Sequence, residues 1–419
     1  MCPETSAHPH GPRALLKTIR ALPVGIWALG FGSMFMDISS ELIHSLLPVF
    51  MVTTLGASMV TIGILEGVAE ATAAITKVFS GALSDYLGKR KFLLVSGYAL
   101  AAFTKPIFPL ATSISWVFGA RFVDRVGKGI RGAPRDALVA DISPPQLRGA
   151  AYGLRQALDS IGALLGPLLA VACMIWFAGD IRAVLWVGVL PAFIAVALLL
   201  VFVREPERAA PGNAVAVPLH RVNIRSLPRR YWLVVLLGGL FTLARFSEAF
   251  LVLRAQDVGL ALGLVPLVMI VMNVFYAGVA YPAGAASDRV RPRTLLLIGL
   301  ACLIAADVLL ATATTPLAAF GGAALWGLHM AFTQGLFAKL VADNAPAELR
   351  GTAFGVFNLV SGGALLLASV IAGALWSAWG AIATFGAGGL FAGIAALGLL
   401  VYRSRGAQRG AEHSAPPPV

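Results

Sequence analysis

Twelve times along this chain a largely apolar run of about twenty or more residues recurs, and that pattern limits the fold more than any single motif. A helix crossing about 30 Å of hydrocarbon needs roughly 20 mostly apolar residues. Runs that meet the requirement lie near Leu22 to Thr53, Met59 to Leu83, Phe92 to Ala111, Ile114 to Gly132, Gln146 to Phe177 and Ala183 to Val203. A second set lies near Tyr231 to Arg254, Leu260 to Ala286, Thr294 to Ala313, Leu317 to Val341, Thr352 to Trp379 and Ala381 to Val401. A soluble domain is charged at about a quarter of its positions, whereas here 12% are charged and 58% hydrophobic, so the chain belongs in a bilayer. The expected fold is an all-α membrane protein with twelve transmembrane helices.

The first run is too long and too interrupted by polar residues for a cleaved signal peptide and lacks a small-residue cleavage site, so it is expected to stay as the first span. The cysteines Cys2, Cys173 and Cys302 are scattered without metal-ligand spacing and imply neither disulfide nor metal. A net charge of +12 raises the question of nucleic acid, but the basic residues fall in short clusters between apolar runs.

Those clusters read as topology signals, because loops rich in Lys and Arg stay in the cytoplasm. Every second connection is basic: Arg13, Lys17 and Arg20; Lys89 to Lys91; Arg125, Lys128, Arg131, Arg135 and Arg148; Arg289, Arg291 and Arg293; and Arg403, Arg405 and Arg409. The alternate connections carry almost none. Both termini are therefore expected in the cytoplasm, in a multi-pass protein of the cell inner (plasma) membrane. The resulting plan is a cytoplasmic segment 1–21, a six-helix bundle 22–203, a Pro-, Ala- and Arg-rich cytoplasmic linker 204–230, a second six-helix bundle 231–402 and a disordered cytoplasmic tail 403–419.

The halves look like copies of one unit. Leu138-Val139-Ala140-Asp141-x-x-Pro144-x-x-Leu147-Arg148-Gly149-x-x-Tyr152-Gly153 returns as Leu340-Val341-Ala342-Asp343-x-x-Pro346-x-x-Leu349-Arg350-Gly351-x-x-Phe354-Gly355. Gly81-x-x-x-Asp85 and Gly284-x-x-x-Asp288 form a second pair at nearly the same offset. The two six-helix bundles are thus expected to be pseudo-symmetric.

At these residues the sequence resembles the major facilitator superfamily of twelve-span secondary transporters. Gly81-Ala-Leu-Ser-Asp85-Tyr-Leu-Gly88-Lys89-Arg90 is similar to the family's loop signature, with Tyr86 where an arginine is usual, and Gly284-Ala-Ala-Ser-Asp288-Arg289 keeps its beginning. Arg121-Phe-Val-Asp124-Arg125-Val-Gly127 is similar to the family's fourth-span motif but departs from it at Asp124 and Arg125. Gly162-Ala-Leu-Leu-Gly166-Pro167 resembles the core of a helix-packing motif associated with antiporters, without the small residues that usually follow. The resemblance covers residues 20 to 403 and implies alternating access, with the loop-signature residues in gating. Physically, the glycines permit a tight turn, and Asp85 can sit against the positive end of a helix while Lys89 and Arg90 stay in water.

A charge at the bilayer centre costs roughly 2.5–3.5 kcal/mol and so faces a cavity or a partner. Asp37, Glu41 and His44 share one face of the first span, and Glu66, Glu70 and Lys77 one face of the second. Arg121 with Asp124, Arg155 with Asp159 and Arg245 with Glu248 are spaced three or four apart. Together they are expected to line a central substrate and proton cavity. Arg155–Asp159 and Arg245–Glu248 read equally as structural ion pairs, and Arg121 either binds an anionic substrate or neutralises an acid. Asp37 and Glu41, one turn apart, repel and are desolvated, which suits a group that takes up and releases a proton. Glu41-Leu-Ile-His44 has the Glu-x-x-His spacing of carboxylate-bridged metal bundles, but in a single copy, so no metal is expected. His329 reads as an ordinary polar residue and Lys105 as a snorkelling one. Trp27, Trp116, Trp186, Trp232 and Trp376 read as interfacial anchors, and Phe31, Phe35, Phe241 and Phe246 as an apolar cavity wall.

The function these features support is secondary active transport of a small organic solute by alternating access, with proton-coupled export favoured by the fifth-span motif. Proton-coupled uptake of an organic anion or an iron-siderophore is the alternative. A membrane-embedded enzyme lacks the catalytic motifs it would need, and no nucleotide-binding loop supplies ATP energy. The expected partners are a small-molecule substrate, protons and the lipid bilayer, with no nucleic acid and no cofactor, and the chain is expected to act as a monomer.

Overall fold

A computed structural model describes residues 21–87, 89–144, 147–205, 227–286, 290–346 and 349–401. Gly88, Asp288, Arg289, the tail from 403, most of the linker and all but the last residue of segment 1–21 lie outside the described residues, and Asp85 is described only as part of a helix.

Among the described residues, nine helical segments are long and apolar enough to cross a membrane. One of them, Thr352–Leu400, is a hairpin: its chain reverses at Gly380, whose φ of 78° only glycine adopts without strain, and Thr384 Oγ1 donates back to the Ala372 carbonyl at 3.0 Å. Ile114–Ile142 and Pro316–Asn344 are of spanning length but fall outside that group, the first because of its charges. The chain therefore has twelve spans and an all-α membrane fold.

Spans 1 to 6 are Val24–Thr53, Met59–Leu87, Arg90–Thr104 continued by Ile107–Leu110, Ile114–Ile142, Arg148–Trp176, and Ile181–Val187 continued by Val189–Phe202. Spans 7 to 10 are Arg229–Ala244 continued by Ala249–Asp257, Leu267–Ala286, Pro292–Thr312 and Pro316–Asn344. Spans 11 and 12 are the two arms of Arg350–Val401. The described chain begins and ends on one side, the terminal side, where Lys89, Arg90 and Lys91 also lie.

Two departures from the sequence reading matter for function. Span 4 continues ten residues' worth of chain past its expected end near Gly132, through Pro134 to Ile142, so Arg125, Lys128, Arg131 and Arg135 are helix residues and not a loop. Span 7, expected to be continuous, is unwound at 245–247.

Packing follows small residues, as expected where lipid tails supply no hydrophobic drive between helices. Spans 3 and 4 touch backbone to backbone at Gly97 and Gly127, where a Cβ on either would meet the other's carbonyl at 2.6–2.7 Å. The same register relates the halves: as Gly97 packs on Arg131 of span 4, Gly299 packs on Thr333 of span 10. Between the halves, span 2 lies along span 11, with Gly63 against Ser369 and Gly355 against Val78. Spans 5 and 8 form the matching contact, and Met174 meets Gly263 at the side away from the termini.

Candidate functional site

Two adjoining cavities lie between the halves. The larger, about 450 Å³, is lined from the N-terminal half by Asp37, Glu41, Glu70, Lys77, Lys128, Arg131, Arg135 and Asp159, and from the C-terminal half by Asn273, Tyr276 and Asn358. The smaller, about 180 Å³, lies between Glu41, His44, Glu66, Glu70 and Arg125 on one side and the unwound 245–248 on the other. In the larger cavity one wall is thus ionic and the other neutral.

The ionic wall is built by three helices. On span 1, Asp37 and Glu41 face the larger cavity, and Gly162 and Gly166 of span 5 let that helix approach beneath them: a Cβ on Gly162 would stand 3.0 Å from Asp37 Cβ, and one on Gly166 2.8 Å from Glu41 Cβ. Pro167 lies inside the same helix. From span 2, Glu66 is 1% exposed and accepts from Arg121 Nη2 at 2.9 Å. His44 bridges two carboxylates, its Nε2 3.5 Å from Glu66 and its Nδ1 3.9 Å from Glu41. Glu70 stands 3.3 Å from Arg125 of span 4. Farther toward the terminal side, Arg155 donates to Asp159 at 2.8 Å as its helical spacing predicts, and Arg135 approaches the same carboxylate at 3.7 Å while donating to Ser33.

Several sequence expectations need correction. Arg121 neutralises Glu66, one of the two alternatives its position left open, whereas Asp124, expected at the cavity, accepts from Lys105 at 2.8 Å. Neither lines either cavity, nor does Arg155: Arg121 and Arg155 stand behind the lining and hold the acids Glu66 and Asp159 that belong to it, while Asp124 pairs with Lys105. Lys105 does not snorkel, being 2% exposed and bonded also to Ser40. Arg245 and Glu248 both reach the smaller cavity, but the unwound backbone removes the helical geometry that would pair them, and they form no ion pair among the described residues. Phe246 lines that cavity as expected, whereas Phe241 packs on Phe337 in the core and Phe31 is 36% exposed. Trp376 is not a free anchor, since its ring meets Phe250 and Phe385. His329 is buried, with Nδ1 2.9 Å from the Gly299 carbonyl.

The unwinding of span 7 is matched by hydrogen bonds to side chains, one of them from span 11. Ser247 N–H donates to Ser369 Oγ at 3.2 Å, and Ser247 Oγ accepts from Ala249 N–H, so side chains replace the helical acceptors. Phe246 is held by Phe250, Trp326 and Phe385.

Among the loop-signature residues, Lys89 precedes span 3 and Arg90 donates to Asp141 at 2.6 Å, while the Glu205 carboxylate accepts from the first backbone N–H groups of span 3. A carboxylate suits that electropositive helix end. Gly81 and Gly284 lie within helices. Among the described residues no three His, Cys, Asp or Glu side chains stand in metal-binding geometry.

A model of the Major Facilitator Superfamily matches residues 29–364 and 249–418. The chain is 32% identical to an uncharacterized MFS-type transporter of Methanocaldococcus jannaschii over 85% of its own length and 89% of that protein. It is 30% identical to the 3-(3-hydroxy-phenyl)propionate transporter of Escherichia coli, covering 78% and 81%, and 25% identical to Multidrug resistance protein MdtH of Edwardsiella ictaluri, covering 77% and 80%. Its fold matches a bacterial homologue of the human lysosomal transporter Spinster, solved inward-facing and unoccupied, with a TM-score of 0.70, 17% identity and coverage of 98% and 100%.

Proposed function

Because the chain belongs to the Major Facilitator Superfamily, we propose that it is a proton-coupled carrier of a small organic anion. It is a multi-pass membrane transporter of small solutes and not an enzyme. The observation that carries the anion reading is the surplus of unengaged positive charge in the larger cavity. Lys77 and Lys128 face it and form no ion pair among the described residues. Arg131 lies over the Tyr98 ring at 4.5 Å and keeps a buried Nη1 without a hydrogen bond. Of the four acids lining the same cavity, Glu41, Glu70 and Asp159 already have basic partners in His44, Arg125 and Arg155, and Asp37 alone has none among the described residues. A carboxylate cargo would supply the missing charge, with Asn273, Tyr276 and Asn358 bonding its neutral part. A relative at 30% identity is named for an aromatic carboxylate, which supports the same class.

In this reading Asp37 and Glu41 carry the coupled proton, since they share a cavity-facing helical surface and Asp37 has no ion-pair partner among the described residues. The halves rock about the span 2–11 and span 5–8 contacts to expose the site to each side in turn. Basic residues on the terminal side orient that side toward the cytoplasm of the plasma membrane, and the carrier acts as a monomer.

Proton-coupled export is the second reading, favoured by the Gly162 and Gly166 packing beneath the acids and by the MdtH relative. The test is internal pH in proteoliposomes given 3-(3-hydroxyphenyl)propionate, a nucleoside or a cationic dye. Proton influx with the carboxylate, lost in Asp37→Asn and Glu41→Gln, is expected. Proton movement with the cationic dye alone would replace the anion reading with the export one.

A further inference from the structure

The C-terminal half contains an ionisable group that the central cavity does not use. Asp307, five residues before the end of span 9 at Thr312, is 1% exposed, and neither carboxylate oxygen has a hydrogen-bond partner. It packs against Gly388 of span 12, where a Cβ would come within 2.8 Å of Asp307 Oδ2 and 3.1 Å of the Phe246 ring. Trp326, also packed on Phe246, has a buried Nε1 without an acceptor. The register that carries Asp141 onto Asp343 carries Lys105 onto Asp307 and Asp124 onto Trp326. In one half these positions hold an ion pair; in the other they hold an acid and an indole.

Among the described residues no cation pairs with the acid. On span 10, His329 is engaged with the Gly299 carbonyl. On span 7, Arg254 is held by the carbonyls of Leu310, Ala311 and Ala313 and by Asp257, while Arg245 and Glu248 face the smaller cavity across Phe246. Span 12 has no titratable side chain among its described residues. An ionised carboxylate left unpaired in such a place costs several kcal/mol, far more than a neutral carboxyl with an unused hydroxyl.

We infer that Asp307 is a second proton-binding site of the transport cycle, separate from the Asp37–Glu41 surface and gated by Phe246. The gate sits where span 7 is unwound, so its ring swings aside without breaking a helical turn; the rings of Phe250, Trp326 and Phe385 and, through the next residue, the Ser247–Ser369 hydrogen bond hold it closed. When it opens, the Asp307 O–H bond breaks, the proton passes to cavity water, and the carboxylate left behind faces Arg245, the residue next to the gate. Closure reverses each step.

The inference rests on the proton-coupled reading, but its first test needs no cargo. Infrared spectra of the full chain in lipid, recorded through neutral pH, are expected to show the C=O stretch of a protonated carboxyl that Asp307→Asn removes and Asp307→Glu retains at a shifted frequency. Should Asp307→Asn fail to fold, the shift in Asp307→Glu decides. A second arm uses 3-(3-hydroxyphenyl)propionate: Asp307→Asn is expected to keep exchange across the membrane and lose proton-driven accumulation. A carboxyl band unchanged in both variants, or full accumulation by Asp307→Asn, overturns the proposal. Absence of transport of this probe by the unaltered protein counts against the anion reading alone, and the infrared arm still decides Asp307.

Discussion

Lys105 Nζ donates to Asp124 Oδ1 at 2.8 Å with both residues under 5% exposed, so spans 3 and 4 are joined by an ion pair sealed from water. Removing one member leaves the other charged and short of its main partner, Asp124 keeping only Arg125 Nε at 3.8 Å and Lys105 only Ser40, which costs up to about 3–5 kcal/mol, whereas replacing both with apolar residues of similar size is often neutral. Lys105→Met is therefore expected to lower the Tm of the purified protein sharply, and Lys105→Met combined with Asp124→Leu to restore most of it. Because the pair lies behind the cavity lining, the double variant should keep cargo binding. A double variant no more stable than the single one would assign the pair a role beyond mutual neutralisation.

The seat of span 5 on span 1 gives a second prediction. A Cβ on Gly166 would lie 2.8 Å from both the Ile38 carbonyl oxygen and Glu41 Cβ, and backbone cannot retreat as a flexible side chain does. Gly166→Ala is expected to cost about 1–3 kcal/mol through overpacking and to displace Glu41, reducing proton-coupled transport in step. Gly153→Ala, in the same helix with open space around it, should instead be neutral or stabilising by about 0.5–1 kcal/mol. Thermal melts and pH-dye flux on the two variants separate a packing effect from a general intolerance of alanine in span 5.

What the sequence disclosed and what it hid follow from the range of each interaction. Twelve spans and Arg155–Asp159 are local, written in run lengths and an i, i+4 spacing. Lys105 finds Asp124 only through tertiary packing, which no spacing within span 3 announces. Arg125, Lys128 and Arg135 follow Arg121 at steps of four, three and seven residues, the mark of one helical face, yet basic residues near a span end read first as cytoplasmic loop. The break in span 7 contains neither Gly nor Pro; Ser369 and the rings around Phe246 impose it from outside. Asn273, Tyr276 and Asn358 carry no charge and so raise no insertion cost to draw notice. Asp307 does raise one, alone in an apolar run, and the same physical criterion that singles out Asp37 applies to it.

Access to the cavity is testable at span 5. Ser160 is exposed and lines the larger cavity, while Cys173 and Cys302 are partly buried away from it. In a background with the native cysteines replaced, Ser160→Cys is expected to react with a water-soluble maleimide and to be shielded when 3-(3-hydroxyphenyl)propionate is present. Labelling that the carboxylate leaves unchanged would place cargo elsewhere than between spans 5 and 8.

The unengaged cations give the sharpest test of cargo charge. Hydrogen bonds to charged groups contribute about 1.5–3 kcal/mol, and each 1.4 kcal/mol is about tenfold in affinity. Lys128→Gln is thus expected to raise the KM for a carboxylate about tenfold or more, with Lys77→Gln acting in the same direction, while Lys128→Arg keeps the charge and most of the affinity. Neither lysine forms an ion pair among the described residues, so their loss strands no acid and should leave Tm nearly unchanged. Uptake measured against substrate concentration, beside thermal melts, distinguishes this from a structural effect. A KM indifferent to both glutamine substitutions would mean that the positive surplus faces the cavity without touching cargo, and a cationic or neutral solute would then fit the ionic wall better.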